Sequence, residues 1–528
     1  MTTKPNRGPL LTYRCTRCHK SKTKCSGERP SCRSCAARNV CCVYLDKDRK
    51  ITISVRQLEA LQNRLRFFED SQSSRPEQSD STPFFEPLLS SSTQEFLARV
   101  ASVIDPDLEV KFNAGELDTP NIDDDDDATL PAGVAVVDNL KKFLGFLQYD
   151  YHFFLYDELL LNIDSIYSNG IDRNHPMVIS QFCLVMAVGS VYDKNAIVTD
   201  EYPGYQYFRL ALKYLHEVNS SFSLIAIQTH ILFAWYLLIL NQKGPASIHC
   251  ACAVRKALHI GLHKPPESNV SPVVKEHRLR TWWTAFVVET FCVSLLGTPQ
   301  HISVDHVDVP LPSSTQLGTD EEGLFFDHTY FTLYIKLALI TSKILSTIYS
   351  KSFNITKDML QILCFLDSLE QFEKELPAAL RSSLETFIIK ERKDLSFLLF
   401  YNQTIILALR PVFWYYFNLA SIGSPKFNGT IWSLQPIVTG LAAAKSLIKI
   451  LKFCKENQLI SKLGFYDPNH LYSAILIVLI SNIMKDRKGF YEISEPMSII
   501  QFQAESGNKA ARSIWNDLNS FFQTASIK

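Results

Sequence analysis

Six cysteines near the amino terminus have the residue type and the spacing of a structural metal site. They form two copies of the pattern C-x2-C-x6-C, offset by seventeen positions: Cys15, Cys18 and Cys25, then Cys32, Cys35 and Cys42. Each C-x2-C pair can place two thiolates on one tetrahedral zinc ion, and the third cysteine of each copy adds one more ligand. Cys41 falls outside this offset, so the repeat selects its neighbour as the sixth ligand.

Ligand counting predicts two zinc ions. A closed structural zinc site needs four ligands, and six cysteines complete two such sites only if two of them bridge the metals. The internal repeat nominates the equivalent residues Cys15 and Cys32 as the bridging pair. The alternative is one zinc ion held by Cys18, Cys25, Cys32 and Cys35. That arrangement would leave two cysteines at matching positions unused, so we expect the binuclear cluster.

Charge is distributed unevenly along the chain. The whole chain balances 54 basic against 54 acidic residues, but residues 1–50 hold thirteen Lys or Arg against three acidic residues. This local excess is the electrostatic footprint of a nucleic-acid binder, although such a patch gives mostly non-specific affinity. A disulfide framework is typical of secreted chains, and residues 1–10 are polar and basic, without the apolar stretch of a signal peptide.

The cysteine segment resembles the fungal binuclear zinc-cluster family of transcription factors. The resemblance includes Lys22 four residues after the second cysteine, Lys24 just before the third, Pro30 between the halves and Tyr44 after the last cysteine. It implies that two short helices follow the first and fourth cysteines, and that the end of the first helix enters the DNA major groove at a CGG triplet. Lys22 would then donate to guanine O6 and N7, the acceptors that mark G·C there.

The same resemblance implies a wider set of DNA contacts around the reading lysine, namely Arg17, His19, Lys20, Ser21, Lys22 and Lys24. Two positions depart from the family pattern: His19 stands where arginine is usual, and Ser21 stands where a basic residue is common. We therefore expect the phosphate contacts to come from Lys20 and Lys24. The implied partners are double-stranded DNA and the transcription machinery or a coactivator, and the implied location is the nucleus.

A short dimerisation helix is predicted after the cluster. Leu58, Leu61, Leu65 and Phe68 fall at alternating a and d positions of a heptad pattern. Family members place a parallel dimerisation helix here, so the resemblance implies a homodimer that reads two CGG triplets. Two alternatives stay open, because so short a coil is marginal by itself: the helix docks on its own chain, or the protein binds DNA as a monomer.

The segment after the coil is Ser/Pro-rich and then acidic. Ser92 followed by Glu95 forms a capping box, which predicts a short helix that ends near Ile104. The run Asp123–Asp127 is either a solvated loop or an acidic activation segment.

From residue 134 onward the chain is apolar with helical periodicity, and it carries no nucleotide-binding or nucleophile-elbow motif. It resembles the regulatory middle-homology domain that follows the zinc cluster in this family, so it can hold a small-molecule effector. The matching positions are Arg255, Ala257, Gly261, Leu262, His263, Glu276, Arg278, Arg280, Trp282, Trp283, Gly297, Pro299, Asp308, Leu311 and Pro312. We expect no membrane contact, because the long apolar run Phe222–Leu240 contains several polar residues and suits a buried core helix.

Polar residues in this domain predict ion pairs and hydrogen bonds within the core, which we call polar latches. Arg278 and Arg280 can pair with Glu276 or Glu289, or donate to carbonyl groups. Trp282 and Trp283 supply a large apolar surface for packing. No nucleophile–base pair is evident, so we expect no enzyme. The last segment, residues 513–528, has apolar residues at helical spacing; it is either the last packed helix or an activation helix.

The predicted fold is a small amino-terminal binuclear zinc-cluster domain with a short coiled coil, followed by a large all-α domain. The predicted segments are a disordered basic amino terminus (1–14), the zinc-cluster domain (15–44), a linker (45–54), the dimerisation helix (55–70), a mostly disordered linker (71–133) and the all-helical regulatory domain (134–528). The predicted function is sequence-specific regulation of RNA polymerase II transcription. The alternative is an effector-sensing or interaction module for which DNA binding is only an anchor.

Overall fold

The computed structural model describes residues 18, 21–26, 32–38, 88, 90–104, 130–196, 198, 201–267, 269–424, 427, 431, 434–485 and 491–525. The chain divides into two compact units, residues 1–84 and 85–528. The predicted dimerisation helix and the run Asp123–Asp127 lie outside the described residues. No strand occurs in the part of the chain that the structure describes, which confirms the predicted fold class of a cysteine cluster and a large all-α domain.

Helices form nearly all of the regular structure. The first unit contains α1 (Arg33–Ala36). The second contains α2 (Thr93–Ile104), α3 (Gly133–Leu147), α4 (Tyr156–Asn169), α5 (Pro176–Val191), α6 (Tyr205–Lys213), α7 (Leu215–Ser220), α8 (Leu224–Ile239), α9 (Lys243–His259), α10 (Pro272–Leu296), α11 (Thr319–Glu322), α12 (Thr329–Ile348), α13 (Ile355–Glu375), α14 (Ala378–Thr386), α15 (Arg392–Ser421), α16 (Gln435–Glu456), α17 (Tyr466–Met484), α18 (Tyr491–Glu505) and α19 (Lys509–Ala525). Short 3₁₀ turns cover Ile171–Arg173 and Val304–His306.

Two central helices show how local signals and burial combine. The Ser223 hydroxyl caps α8 by accepting from the Ala226 amide at 3.3 Å. Every residue from Ala226 to Ile239 is buried, as expected for a helix that is apolar all round. This confirms the core helix predicted within Phe222–Leu240. α8 packs against α5, α9 and α10.

Helix α10 has clear start and stop signals. Ser271 caps it and Pro272 occupies the first turn, where a missing N–H costs nothing. Gly297 ends it with φ of +69°, a left-handed conformation that favours glycine. A Cβ atom at Gly297 would also lie 1.9 Å from the Ser90 hydroxyl oxygen, so this glycine additionally permits the close approach of an upstream segment.

The predicted polar latches are present in the core of the helical unit. Arg280 donates to Glu276 at 2.6 Å, and both side chains are more than nine-tenths buried. Arg278 donates to the Ile260 carbonyl at 3.1 Å, and the Trp283 indole donates to the Pro310 carbonyl at 2.9 Å. These bonds fasten the loops on both sides of α10 to it and confirm a latched core at these positions.

A second ion pair joins two long helices. Arg392, at the start of α15, donates to both carboxylate oxygens of Asp467 at 2.8 and 2.7 Å. Asp467 lies in the first turn of α17, where the helix dipole favours a negative charge. The same carboxylate accepts from the Ser461 amide at 3.0 Å. Bidentate geometry and the extra amide offset the desolvation of this pair.

Two described helices, α12 and α15, have the length and apolar composition to cross a membrane. Their apolar stretches are 56% and 94% buried inside the helical unit. α15 also carries the buried polar residues Asn402, Gln403 and Arg410, which are hydrogen-bonded to neighbouring helices or to their own turn. These contacts are those of core helices.

The carboxy-terminal helix α19 is packed into the core. Its residues Ala511, Ile514, Leu518 and Phe521 are buried, and α19 contacts α17 and α18. Of the two alternatives for this segment, the structure confirms the last packed helix.

The upstream helix α2 lies at the predicted position, since the Ser92 hydroxyl accepts from the Glu95 amide at 3.4 Å and the helix ends at Ile104. It belongs to the helical unit and contacts α15 and α17. The helical domain therefore begins well before residue 134, within the segment assigned to a mostly disordered linker. The physical reason is Arg410 on α15.

Arg410 is a fully buried guanidinium that binds this upstream segment. It donates to the Ser91 carbonyl, to the Thr93 hydroxyl at 3.1 Å and to the Ser473 hydroxyl at 3.0 Å. Ser473 also bonds the Thr93 hydroxyl and accepts from Gln403. Ser473 is therefore the hub that connects α2, α15 and α17. Burial lowers the pKa of Arg410, which reflects the cost of removing this cation from water.

Ser473→Ala should lower the free energy of unfolding by about 1–3 kcal/mol, because Arg410, Thr93 and Gln403 each lose a buried partner. The matched control is Ser481→Ala on the same helix, whose buried hydroxyl bonds only the Ile477 carbonyl among the described contacts. We expect the control to cost clearly less. Urea denaturation followed by circular dichroism measures both, and equal losses would contradict the hub assignment.

Candidate metal centre and nucleic-acid interface

The second cysteine pair is positioned by a short helix. Cys32 is the N-cap of α1, and the Cys35 amide donates to the Cys32 carbonyl at 2.9 Å. The Ser26 hydroxyl accepts from the Arg33 amide at 2.9 Å, which ties the inter-half loop to the start of this helix. One helical turn thereby brings the two sulfur atoms of C-x2-C to the same side.

Four cysteines form a buried cluster: Cys18, Cys25, Cys32 and Cys35. The sulfur atoms of Cys18, Cys32 and Cys35 all lie within 4.8 Å of one another. Cys18 Sγ lies 3.7 Å from Cys32 Sγ, close to the ~3.8 Å edge of a tetrahedron with Zn–S bonds of about 2.3 Å. That separation is too long for a disulfide of about 2.05 Å. The donor set therefore fits zinc.

Two of the predicted ligands, Cys15 and Cys42, lie outside the described residues, so the bridging pair and the number of ions stay predictions. Burial, together with the adjacent thiols of Cys35 and Cys18, raises the pKa of the Cys32 thiol when no cation is present. A coordinated divalent cation reverses this effect, because it stabilises the thiolate form directly. Lys22, Lys24 and Arg33, which lie next to or near these cysteines in the chain, are exposed basic residues.

Lys22 has a backbone conformation that the sequence did not predict. Its φ is +50°, in the left-handed region that is costly for a residue with a Cβ atom. The Thr23 amide donates to the Cys18 carbonyl at 3.0 Å. A left-handed residue followed by this bond is the Schellman motif that ends a helix. Lys22 is thus the terminating residue of a helical turn whose first described residue is Cys18.

This geometry exposes the predicted reading residue at the end of the turn. Lys22, Ser21 and Lys24 are all exposed, and the Ser21 hydroxyl bonds the Thr23 hydroxyl at 3.2 Å. The predicted contacts Arg17, His19 and Lys20 lie outside the described residues. No sequence signal marked this turn, because glycine, the residue that usually adopts positive φ at a helix end, does not occupy the position.

Sequence reasoning also missed several close pairs of cysteine or histidine side chains in the helical unit, of which two examples follow. Cys250 Sγ lies 3.2 Å from Cys292 Sγ, and His230 Nδ1 lies 3.1 Å from His249 Nδ1. Neither pair belongs to a group of three or more potential metal ligands; among the described residues, only the amino-terminal cysteines form such a group. Their sequence separations of 42 and 19 residues left no local signal.

Comparison with known families gives one match to the cysteine segment and one match to the helical unit. Residues 13–51 match the fungal Zn(2)-Cys(6) binuclear cluster domain, and residues 145–378 match the fungal specific transcription factor domain. The chain belongs to the fungal Zn(2)-Cys(6) transcription factors. The second match ends near the start of α14, although α15 to α19 complete the same helical unit.

Similar curated proteins are fungal regulators. An uncharacterized transcriptional regulatory protein of Schizosaccharomyces pombe is 24% identical over 381 residues, which cover 71% of this chain and 47% of that protein. Activator of stress genes 1 of Saccharomyces cerevisiae is 24% identical over 379 residues, covering 65% of this chain and 38% of that protein. Cutinase transcription factor 1 alpha of Fusarium vanettenii is 28% identical over 153 residues, covering 26% and 16%.

The chain thus spans less than half the length of these relatives. The families and relatives that it matches are transcription regulators and not enzymes.

Cys35→Ser should lower the zinc content of the purified chain, because it removes one of three sulfur atoms that lie within 4.8 Å of one another. Inductively coupled plasma mass spectrometry after dialysis measures bound zinc per chain. Cys364→Ser is the matched control, since Cys364 is an exposed cysteine of the helical unit. A Cys35→Ser chain that retained as much zinc as the control would contradict the assignment of Cys35 as a ligand.

Proposed function

We propose that this protein is a nuclear, sequence-specific DNA-binding regulator of RNA polymerase II transcription. In this proposal a binuclear zinc cluster presents Lys22 to the major groove, where its ammonium group donates to guanine O6 and N7 of a CGG-type triplet. Double-stranded DNA is the primary partner, and the transcription machinery or a coactivator is the second.

The observation that carries the proposal is the position of Lys22. The residue is exposed and ends a helical turn whose first described residue is the buried cysteine Cys18. A helix end leaves backbone carbonyl groups available as acceptors, and cytosine N4 is the matching donor in the groove. Donor and acceptors for one G·C pair would therefore come from the same turn.

We further propose that six cysteines hold two zinc ions, with Cys15 and Cys32 as the bridging ligands. The repeat of C-x2-C-x6-C supports this count, because a one-ion site would use only four of six equivalent positions. The role of the metals is structural: they fold the module, since binding energy for a structural zinc is folding energy in so small a domain.

The proposed dimer rests on the heptad pattern of Leu58, Leu61, Leu65 and Phe68, which would join two zinc modules. A dimer reads two triplets, and the spacing between them follows from the linker at residues 45–54. The basic amino-terminal segment supports both nuclear import and phosphate binding.

Selection of bound duplexes from random DNA by the full-length, zinc-loaded protein should enrich CGG triplets. Lys22→Ala should remove this enrichment, because base reading is lost. Lys24→Ala is the matched control: a phosphate contact carries no sequence information, so the control should weaken binding to all duplexes and keep the CGG preference. Paired triplets in the selected pool would indicate a dimer, and single triplets a monomer.

The proposal fails if no sequence is enriched, or if Lys22→Ala selects the same triplets as the wild type. In either case the zinc module would be a basic structural element without a reading function.

Lys22→Gly separates folding from recognition. Glycine adopts positive φ without strain, so this change should stabilise the module by up to about 1 kcal/mol relative to lysine. We expect unchanged zinc content and an equal or higher melting temperature for the zinc-loaded protein, but loss of CGG-specific binding in an electrophoretic mobility assay. Retained specific binding would show that the lysine side chain does not read the triplet.

A further inference from the structure

Six aromatic side chains in the helical unit form a closed ring, and each comes from a different segment: the loop after α3 and helices α8, α10, α12, α15 and α17. Successive ring centroids are 4.8 Å apart for Tyr151–Trp235, 5.1 Å for Trp235–Tyr466, 4.1 Å for Tyr466–Phe291, 6.1 Å for Phe291–Phe400, 5.8 Å for Phe400–Tyr334 and 5.9 Å for Tyr334–Tyr151. We call this ring the aromatic cage.

The aromatic cage surrounds a cavity of about 40 Å³ that all six side chains line. A single water molecule needs roughly 10–15 Å³ of such space, so the cavity can hold more than one water but only a ligand of a few heavy atoms. Four lining residues are only partly buried, namely Phe146, Arg392, Ser396 and Tyr466.

Four buried polar atoms of residues that line this cavity have no hydrogen-bond partner: Asp150 Oδ1, His470 Nε2, Arg392 Nε and the Tyr466 hydroxyl. Arg392 Nε is a donor and the Tyr466 hydroxyl can donate or accept, whereas a carboxylate oxygen only accepts. Asp150 is 3% exposed and His470 is 4% exposed. His470 Nδ1 lies 2.7 Å from the Tyr466 carbonyl, so Nδ1 carries the proton and donates. Burial lowers the pKa of His470 to about 4, so the ring is neutral and Nε2 is an acceptor. Asp150 Oδ1 and His470 Nε2 can therefore each accept a hydrogen bond from a ligand.

The charge of Asp150 has no committed counterion. The cation nearest in the wall, Arg392, gives both of its terminal nitrogens to Asp467 at 2.8 and 2.7 Å, and its Nε has no partner. Burial raises the pKa of Asp150 well above its usual range, and the attraction of Arg392 only partly opposes this effect. A buried carboxyl group of this kind either holds a proton or pairs with a cation.

We propose that the aromatic cage binds a small alkylammonium ion, with methylammonium as the size that fits. Aromatic faces attract cations through their quadrupoles, and desolvated cages of Tyr, Trp and Phe are the usual recognition sites for organic ammonium groups. Asp150 supplies the negative charge, and His470 Nε2 accepts one ammonium hydrogen. The inference concerns the helical unit alone and does not depend on DNA binding.

The test is a saturation-transfer NMR titration of the full-length protein with methylammonium chloride, at ionic strength kept constant with sodium chloride. We expect saturable binding with a dissociation constant on the order of 10 mM, because a ligand with two heavy atoms offers little contact. Methanol has the same size and no charge, so it should bind at least ~10-fold more weakly if charge recognition dominates.

Asp150→Asn keeps the shape of the side chain and removes the charge, so it should weaken methylammonium binding at least ~10-fold. Asp164→Asn is the matched control, because Asp164 is an exposed carboxylate on the nearby helix α4. Phe400→Leu keeps an apolar wall without an aromatic face and should also weaken binding. Melting temperatures of all variants show that each one is folded.

Three results would overturn the proposal: no saturable binding by the wild type, equal binding by Asp150→Asn and Asp164→Asn, or equal binding of methanol and methylammonium. The last would mean that the cavity is an apolar void. Success or failure of the DNA selection leaves each of these outcomes unchanged.

Discussion

Arg410 imposes a constraint on the whole helical unit. Leaving a buried guanidinium without partners is costly, and the terminal nitrogens of Arg410 donate to neutral oxygens of Ser91, Thr93 and Ser473, while its Nε has no partner. Those oxygens belong to α17 and to a segment more than 300 residues upstream in sequence. The core therefore cannot close without the upstream segment. Gly297 agrees with this arrangement, because any larger residue there would collide with Ser90.

The amino-terminal module is stabilised in a different way from the helical unit. Its buried cluster consists of cysteines, and no apolar cluster is described around them. A domain of this size buries too little apolar surface to fold alone, so metal–thiolate bonds replace the hydrophobic core. Zinc binding at this cluster is also compatible with backbone strain: Lys22, which has a left-handed conformation, lies between the buried cysteines Cys18 and Cys25 in the chain.

Polar groups inside the helical unit fall into two classes. Arg392 and Asp467 form an ion pair between two helices, whereas Glu276 and Arg280 pair within one helix and each also bonds the backbone of a loop. Asp150 and His470 have unpartnered atoms that face a common cavity within the aromatic cage. The paired groups hold helices and loops of the unit together. Unpartnered buried atoms occur elsewhere in this unit as well, and the reason to infer a ligand here is that Asp150 and His470 line one cavity together with six aromatic side chains.

The sequence by itself determined what depends on spacing along the chain. Three features follow from residues a few positions apart: the cysteine repeat, the helix start at Ser92 and the apolar composition of α8. The hydrogen bonds of Arg280 and Arg278 also connect α10 to itself or to the segment just before it. The tertiary structure alone decided the position of α2 in the core, the left-handed turn at Lys22 and the closure of the aromatic cage. Each of these features depends on contacts between distant segments or on backbone strain. Long-range contacts and backbone strain do not produce a periodic pattern that can be read from a single sequence.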